Sequence, residues 1–561
     1  MKKKLLYGFG AFVIFLALVV GLFAYTVIIQ VPEPESSEVL KLERTEVSPN
    51  FYTIGNNWLK KNQYGLYEMY VEGAPFERGV INGKLSRELV VKQEVVFIAS
   101  IRKIIPSDWY LDFLKYVVAW FNRNLDDHIA EEYKLEIFGV SRALSDDYDF
   151  IGPKYQRILN YHAAHDIGHA LQDKNYVRGC TSFSAWDQRV EDQSLLIGRN
   201  FDFSVGDEFA EDKIISFNHP DKGFDFMMVT WGGMIGAVSG MNTKGLTVTI
   251  NAAKSDIPTS SATPIAILAR EILQYAENIE EAVKIAARRE TFVSESIMVG
   301  SWQDNQTAII EKTPTRMSIK RADADYIVCS NHFQSDLFVD DPLNIENMET
   351  SDSPYRYNRM QELIAGSEVI NPSRMAAILR DRSGIGGANI GLGNQKSINQ
   401  LIAHHSIIFK PGQQLVWVST KPWQLGPYIA YDLTRIFKEL PGLKKDSSII
   451  VDSLTIPADK FLHSKKYKSF LVYKKLKAVF KKMIDRDEDA EIKERLARKF
   501  VESNPEFYLV YSILGDYFLA RGEVERAAGY YNLALTKEIP YQADVDEIKA
   551  KIESLKVRTS S

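Results

Sequence analysis

Residues Arg178-Gly179-Cys180-Thr181-Ser182-Phe183, followed by Leu196-Ile197-Gly198-Arg199-Asn200-Phe201-Asp202-Phe203, decide how the rest of the chain is read. A cysteine opens a strand, and the next strand carries Arg199 and Asp202 back towards it. An arginine lowers the pKa of a nearby thiol, and a carboxylate orients an amine or accepts its proton. Taken alone, these features fit a catalytic cysteine and a buried structural thiol equally. Only two cysteines occur in 561 residues, so no disulfide framework accounts for either.

Downstream the texture stays strand-like. Leu195-Leu196-Ile197, Phe226-Met227-Met228-Val229 and Leu246-Thr247-Val248-Thr249-Ile250 are short apolar or alternating runs bounded by Gly, Asn or Asp. Helical stretches at 264–289 and 355–364 interrupt them, and Leu415-Val416-Trp417-Val418 resumes the strand pattern. Upstream, residues 51–179 read as a helical N-terminal segment, with Trp109, Phe113, Tyr116, Val117 and Trp120 at helical spacing. Residues 180–440 then form the α+β body, and 441–561 a lysine-rich helical region. Within that region Tyr511, Leu514, Gly515, Phe518, Ala527, Tyr531, Ala534 and Pro540 follow tetratricopeptide spacing. One such hairpin cannot bury its own face, so it packs on flanking helices (485–505 and 541–555) or on the body; it serves as a cap or binds a protein partner.

The other end predicts a membrane anchor. Lys2, Lys3 and Lys4 form a short cytoplasmic tail (1–4), and residues 5–32 carry no charge, longer than the ~20 residues a spanning helix needs. The span is placed at 5–30 as an uncleaved helix rather than a signal peptide, with the lysines inside and the remainder exported to the periplasmic or extracellular face. Residues 31–50, with Pro32, Pro34 and several glutamates, read as a linker lifting the body off the membrane. A net charge of -5 and a pI near 6.1 offer no field for gripping phosphate backbones, which excludes nucleic acid as a partner.

The Cys180 segments resemble the start of the mature catalytic chain in the cysteine N-terminal-nucleophile (Ntn) hydrolases, the group that includes penicillin V acylase, bile salt hydrolase, acid ceramidase and isopenicillin N acyltransferase. Further matching pieces follow in family order: Gly240-Met241-Asn242-Thr243-Lys244-Gly245-Leu246 running to Asn251, then Cys329-Ser330-Asn331-His332-Phe333, then Ser353-Pro354-Tyr355-Arg356-Tyr357. Weaker similarity to the acyltransferase branch lies at 73–79 and 417–420. The resemblance covers roughly 65–435 and implies a four-layer αββα fold, with the anchor and the tetratricopeptide-like appendage outside it. It also implies that the chain is cut between Gly179 and Cys180, the freed α-amine acting as base for its own thiol. By the same resemblance Asp202 holds that amine, Arg199 stabilises the thiolate, and Arg356 fills the second arginine position. Asn251 donates to the oxyanion and Asn331 to the reacting centre. The set needs no metal and no cofactor. The implied reaction is hydrolysis or transfer of the acyl group of a linear N-acyl amide, and the anchor favours a lipid-like substrate.

Competing readings accompany these. Asn242 fits a turn, Asn251 fits a strand end, and Arg359 competes with Arg356 for the family position. His162, His165 and His169 lie at i, i+3 and i+7, a spacing that suits a zinc hydrolase. Cys329, two residues before Asn331, points to the same strand face and suggests a reversible bond to Cys180. The rival outside enzymology is a non-catalytic membrane-surface scaffold that presents the helical repeat.

Overall fold

The computed structural model describes the chain except residues 1, 106, 171–178, 204–207, 209–210, 255–259, 484–489 and 561; within helices it describes the backbone alone at 2–6, 103–104, 108, 164–165, 167–170, 490–493 and 557–560. Arg178 of the opening motif lies outside the described residues.

The strands, in chain order, are β1 (Thr45–Ser48), β2 (Phe51–Ile54), β3 (Asn57–Lys61), β4 (Tyr67–Gly73), β5 (Thr181–Ala185), β6 (Leu196–Asp202), β7 (Ile214–Pro220), β8 (Phe226–Thr230) and β9 (Ser239–Asn242). They continue with β10 (Leu246–Ala252), β11 (Glu295–Ser301), β12 (Gln306–Lys312), β13 (Met317–Arg321), β14 (Tyr326–Cys329), β15 (Ala403–Lys410), β16 (Leu415–Ser419) and β17 (Tyr428–Asp432). Among the described residues they form two sheets, one in the order β1-β2-β3-β4-β7-β8-β9-β10-β11-β12-β13 and one in the order β14-β5-β6-β15-β16-β17.

Alternation along the strands builds the layers. Inward residues of both sheets, among them Trp58, Phe217 and Met298 from the larger and Ile197, Ile407 and Val418 from the smaller, share one buried core. The outer face of the larger sheet is covered by helices Ile265–Tyr275 and Ile279–Arg288. Helices Ser353–Ala365 and Pro372–Leu379 cover the smaller sheet's outer face. The body is therefore the αββα arrangement.

Three boundaries differ from the sequence reading. Residues 51–73 are not helical: β2–β4 lie there, and β4 pairs in parallel with β7 over Tyr67–Gly73 and Ile214–Pro220. Their alternation is masked because buried positions carry charge. Lys60 and Glu68 are both buried and lie 3.8 Å apart, and Glu68 also accepts from Tyr431 Oη at 2.9 Å. A charge is tolerated in a buried strand only where such partners exist, and here one of them, Tyr431, stands 363 positions away. Secondly, 31–50 is not a free tether. Val27 and Ile29 are buried against the body, Gln156 Nε2 donates to Val27 O at 2.7 Å, and β1 occupies part of the segment. Thirdly, the helical appendage begins at Lys465, not 441; Ile449 and Ile450 return to the inter-sheet core.

The C-terminal helices dock tightly on the body. Gly391, at φ +83°, lets its loop approach Phe507 so closely that a Cβ would lie 2.6 Å from that residue's backbone. Asn504 clasps Leu392 through both backbone groups at 2.8 and 2.9 Å. At the opposite end of the chain, helix Lys2–Val27 contains one stretch, Tyr7–Val27, long and apolar enough to cross a membrane.

Candidate active site

Cys180 precedes β5 by one residue. Thr181 pairs with Asn200, so extending the register sets Cys180 across from Phe201 and Gly179 across from Asp202; Gly179 N donates to Asp202 O at 3.4 Å. The two motifs thus meet because their strands are neighbours in one antiparallel ladder. Arg199 Nη2 reaches Cys180 Sγ at 3.7 Å. The same guanidinium crosses to the larger sheet, donating to Val238 O at 2.8 Å, Ser239 Oγ at 2.5 Å and Ile250 O. Ser239 in turn meets His405 Nε2 at 2.9 Å.

Arg356, fully buried on helix Ser353–Ala365, organises the other side of Cys180. It donates to Cys180 O at 2.8 Å, Thr181 Oγ1 at 2.7 Å, Ser330 Oγ at 3.0 Å, Asn331 Oδ1 at 2.8 Å and Asp352 Oδ1 at 3.2 Å. Arg359 instead pairs with Asp381 and Glu362, away from the cysteine. Asn331 Nδ2 donates to Ala252 O at 2.8 Å. Asn251 accepts from Ser182 Oγ at 2.9 Å and donates to Cys329 O at 3.2 Å. All six candidate residues therefore gather at one place. In the uncut chain, both asparagine amides are engaged with protein carbonyls rather than presented to an open oxyanion position.

Several members were not singled out as site residues in the sequence. Asp352 stands one helical turn before Arg356, and its second oxygen accepts from Tyr541 Oη at 3.2 Å, which ties the C-terminal helices to the site. Ser353 Oγ accepts from Asn331 N at 2.7 Å and meets His332 Nδ1 at 2.7 Å. Gln400 Nε2 donates to Gly179 O at 3.0 Å. The Asp352–Arg356 pair is recoverable from its i,i+4 spacing. Gln400 has no such clue.

Burial pushes the Cys180 thiol up, and Arg199 opposes that without reversing it, so in the uncut chain the thiol stays protonated. Burial also pushes the Asp202 carboxyl up from 3.8 to about 8, against the pull of Arg356 and Arg199, and neither oxygen has a hydrogen-bond partner among the described residues. A folded chain that keeps a proton the unfolded chain has released is most stable below the unfolded pKa and loses that contribution as pH rises through about 8. The denaturant midpoint of an uncut Cys180→Ala chain should therefore fall from about pH 5 to about pH 8, and Asp202→Asn in the same background should flatten the fall. Parallel pH profiles for the two chains would show that Asp202 is not the titrating group.

Of the three histidines at helical spacing, His162 is the one whose side chain is described, and both of its ring nitrogens are engaged within the protein. His162 meets Ile158 O through Nδ1 at 2.8 Å and accepts from Ile235 N through Nε2 at 2.9 Å, leaving neither ring nitrogen for a metal. The side chains of His165 and His169 lie outside the described residues. Cys329 is a buried free thiol opposite Ser182 on β14, packed in the inter-sheet core.

Two apposed sheets between helical layers, with a cysteine opening an inner strand beside Arg199 and Asp202, define the body as an Ntn-hydrolase fold. In sequence, residues 189–417 match the profile of the acyl-coenzyme A:6-aminopenicillanic acid acyl-transferase family, a segment holding every candidate site residue except Gly179 and Cys180. An uncharacterized protein of Archaeoglobus fulgidus is 25% identical over 338 residues, which are 54% of this chain and 55% of that one. Protein dcd1B of Dictyostelium discoideum is 23% identical over 269 residues, 45% of this chain and 50% of that one. The chain thus spans about half the length of the curated relatives it matches. Among solved structures, a Caenorhabditis elegans N-acylethanolamine-hydrolyzing acid amidase ortholog is similar at 16% identity and TM-score 0.31, over 42% of this chain and 93% of that one. A mutant of the conjugated bile acid hydrolase from Clostridium perfringens is similar at 13% identity and TM-score 0.31, over 46% of this chain and 93% of that one.

Proposed function

We propose that this chain is a membrane-anchored cysteine amidohydrolase or acyltransferase that cuts itself between Gly179 and Cys180 and then acts on a linear N-acyl amide. The observation that carries this reading is the Asp202 carboxyl: buried, without a hydrogen-bond partner on either oxygen among the described residues, and level with Gly179 in the strand register. Buried carboxyl groups are ordinarily paired. An α-ammonium released at Cys180 supplies the missing partner, and a cut chain thereby converts a destabilising group into an ion pair. The free amine, with an unperturbed pKa near 8, takes the thiol proton. The thiolate, facing Arg199, attacks the acyl carbon, the amine of the substrate leaves, and water or an acceptor amine releases the acyl group. Asn251 serves as an amide donor to the developing oxyanion and Asn331 to the reacting centre once local contacts are exchanged for substrate, and Arg356 holds the Cys180 carbonyl. The test is the intact mass of the full chain in lipid nanodiscs across mildly acidic to neutral pH, followed by turnover of N-acyl amides of increasing chain length. A chain that never divides before Cys180 would defeat the reading.

The membrane part rests on a second feature. Helix Asp108–Phe121 exposes Trp109 (77%), Phe113, Tyr116, Val117 and Trp120, and Phe23 of the N-terminal helix stacks on Trp120 with ring centroids 6.0 Å apart. An aromatic face beside the end of an apolar helix suits the headgroup layer, where amphipathic rings concentrate. The lysines stay cytoplasmic, the body sits on the outer face, and a lipid-like amide reaches it from the bilayer. In nanodiscs with brominated lipid, the tryptophan emission of the full chain should be partly quenched, and Trp109→Phe with Trp120→Phe should remove most of the quenched fraction. Quenching unchanged by that pair of substitutions would place the helix off the membrane.

A further inference from the structure

Gln400 is buried, its Nε2 donates to Gly179 O at 3.0 Å, and its Oε1 has no hydrogen-bond partner among the described residues. A buried amide that leaves its acceptor unsatisfied while aiming its donor at one carbonyl calls for an explanation. The carbonyl it meets is that of the bond before Cys180. The fit is close: a Cβ on Gly179 would lie 1.7 Å from Gln400 Nε2 and 2.4 Å from its Cδ, so glycine is the residue that admits this contact. The neighbouring backbone is held for the purpose. Asn399 N donates to Asp381 O at 2.7 Å, Leu401 N donates to Asn399 Oδ1 at 3.0 Å, and Leu401 adopts φ +56°, a left-handed conformation that costs energy for a leucine.

We propose that Gln400 is a catalytic residue of self-cleavage, its side-chain amide polarising the Gly179 carbonyl and then binding the oxyanion. The inference rests on the self-cutting reading above and extends it. Cys180 Sγ adds to the Gly179 carbonyl carbon, and negative charge develops on the oxygen that Gln400 Nε2 already holds. Collapse forms the C–S bond of a thioester and breaks the C–N bond; the thiol proton passes to the departing nitrogen, which becomes the Cys180 amine beside Asp202. Water then hydrolyses the thioester, leaving a Gly179 carboxylate and a free Cys180 thiol. A donor placed on the developing oxyanion accelerates acyl chemistry by roughly 100- to 1,000-fold.

The experiment is a time course of cell-free synthesis of the full chain into nanodiscs, with the fragment divided before Cys180 quantified by mass. Gln400→Met is expected to slow cutting by roughly 100-fold, and Gly179→Ala, which displaces the amide, by a comparable factor. Gln400→Glu keeps the shape but loses the donor when ionised. It should cut near the parent rate while burial keeps its carboxyl protonated and donating, and fall away from the parent rate as alkaline pH ionises it. That pH signature would not follow from a merely structural role, and it stands even where Gln400→Met fails to fold. A parent that cuts while Gln400→Met cuts equally fast, or while Gln400→Glu shows the parent's pH profile, overturns the role of Gln400 alone. A parent that stays whole at every pH overturns self-cutting, and this inference with it.

Discussion

Alanine at position 180 is expected to leave one undivided chain of 561 residues and to lower N-acyl amide turnover by at least ~1,000-fold. Both effects have one cause. The sulfur that opens the Gly179–Cys180 bond is the sulfur that later carries the acyl group, so its removal deletes the nucleophile of both reactions. Stability should change little: the side chain is small and buried, and losing one sulfur atom costs about 1 kcal/mol. Serine at the same position keeps shape and hydrogen bonding but is a weaker nucleophile, and should yield slow, incomplete division. The measurement is intact mass together with the N-terminal sequence of any downstream fragment. A Cys180→Ala chain that still divides before position 180 would assign the cut to an external protease.

Arg356→Met is expected to be the most damaging change for the fold of the site, costing about 3–5 kcal/mol. The guanidinium is fully buried and satisfies five oxygens, those of Cys180, Thr181, Ser330, Asn331 and Asp352. Methionine fills most of the volume, so the loss is electrostatic. It strands the Asp352 carboxylate, removes the positive charge that draws both Asp352 and Asp202 downward, and frees the Asn331 amide to turn. Lysine cannot reproduce a fork that reaches oxygens on both sides, and Arg356→Lys should recover only part of the loss. Denaturant unfolding of the uncut Cys180→Ala background, with and without Arg356→Met, checks the figure directly. A difference below about 1 kcal/mol would mean that the oxygens around Arg356 find water instead.

Much of the site was legible because its parts lie on neighbouring strands. Cys180 and the pair Arg199 and Asp202 are joined by one hairpin, so separation along the chain translates into distance across a ladder. Asn251 was reached only through the family resemblance, since a place near the end of a strand equally suits a structural residue, and it is the fold that sets it against Ser182. Arg356 and Arg359 were separable only in the fold, where the first faces Cys180 and the second turns to Asp381. Arg199 does draw the thiol pKa down, as expected, but burial, which no spacing reveals, outweighs that one neighbouring charge and the net shift is upward.

Local patterns of period 2 or 3.6 were enough to mark the apolar N-terminal helix, the strand-rich body and the helical C-terminus, whereas the candidate nucleophile and the αββα layering were reached through the resemblance to the cysteine Ntn hydrolases. Folding added what no such pattern carries: residues 45–73 extend the larger sheet, Gln400 rests on the Gly179 carbonyl, and Tyr541 reaches Asp352. The last two contacts join positions 221 and 189 residues apart along the chain. Nothing local records such pairings, because the free energy that holds them comes from burying groups whose partners the chain supplies only after it has folded.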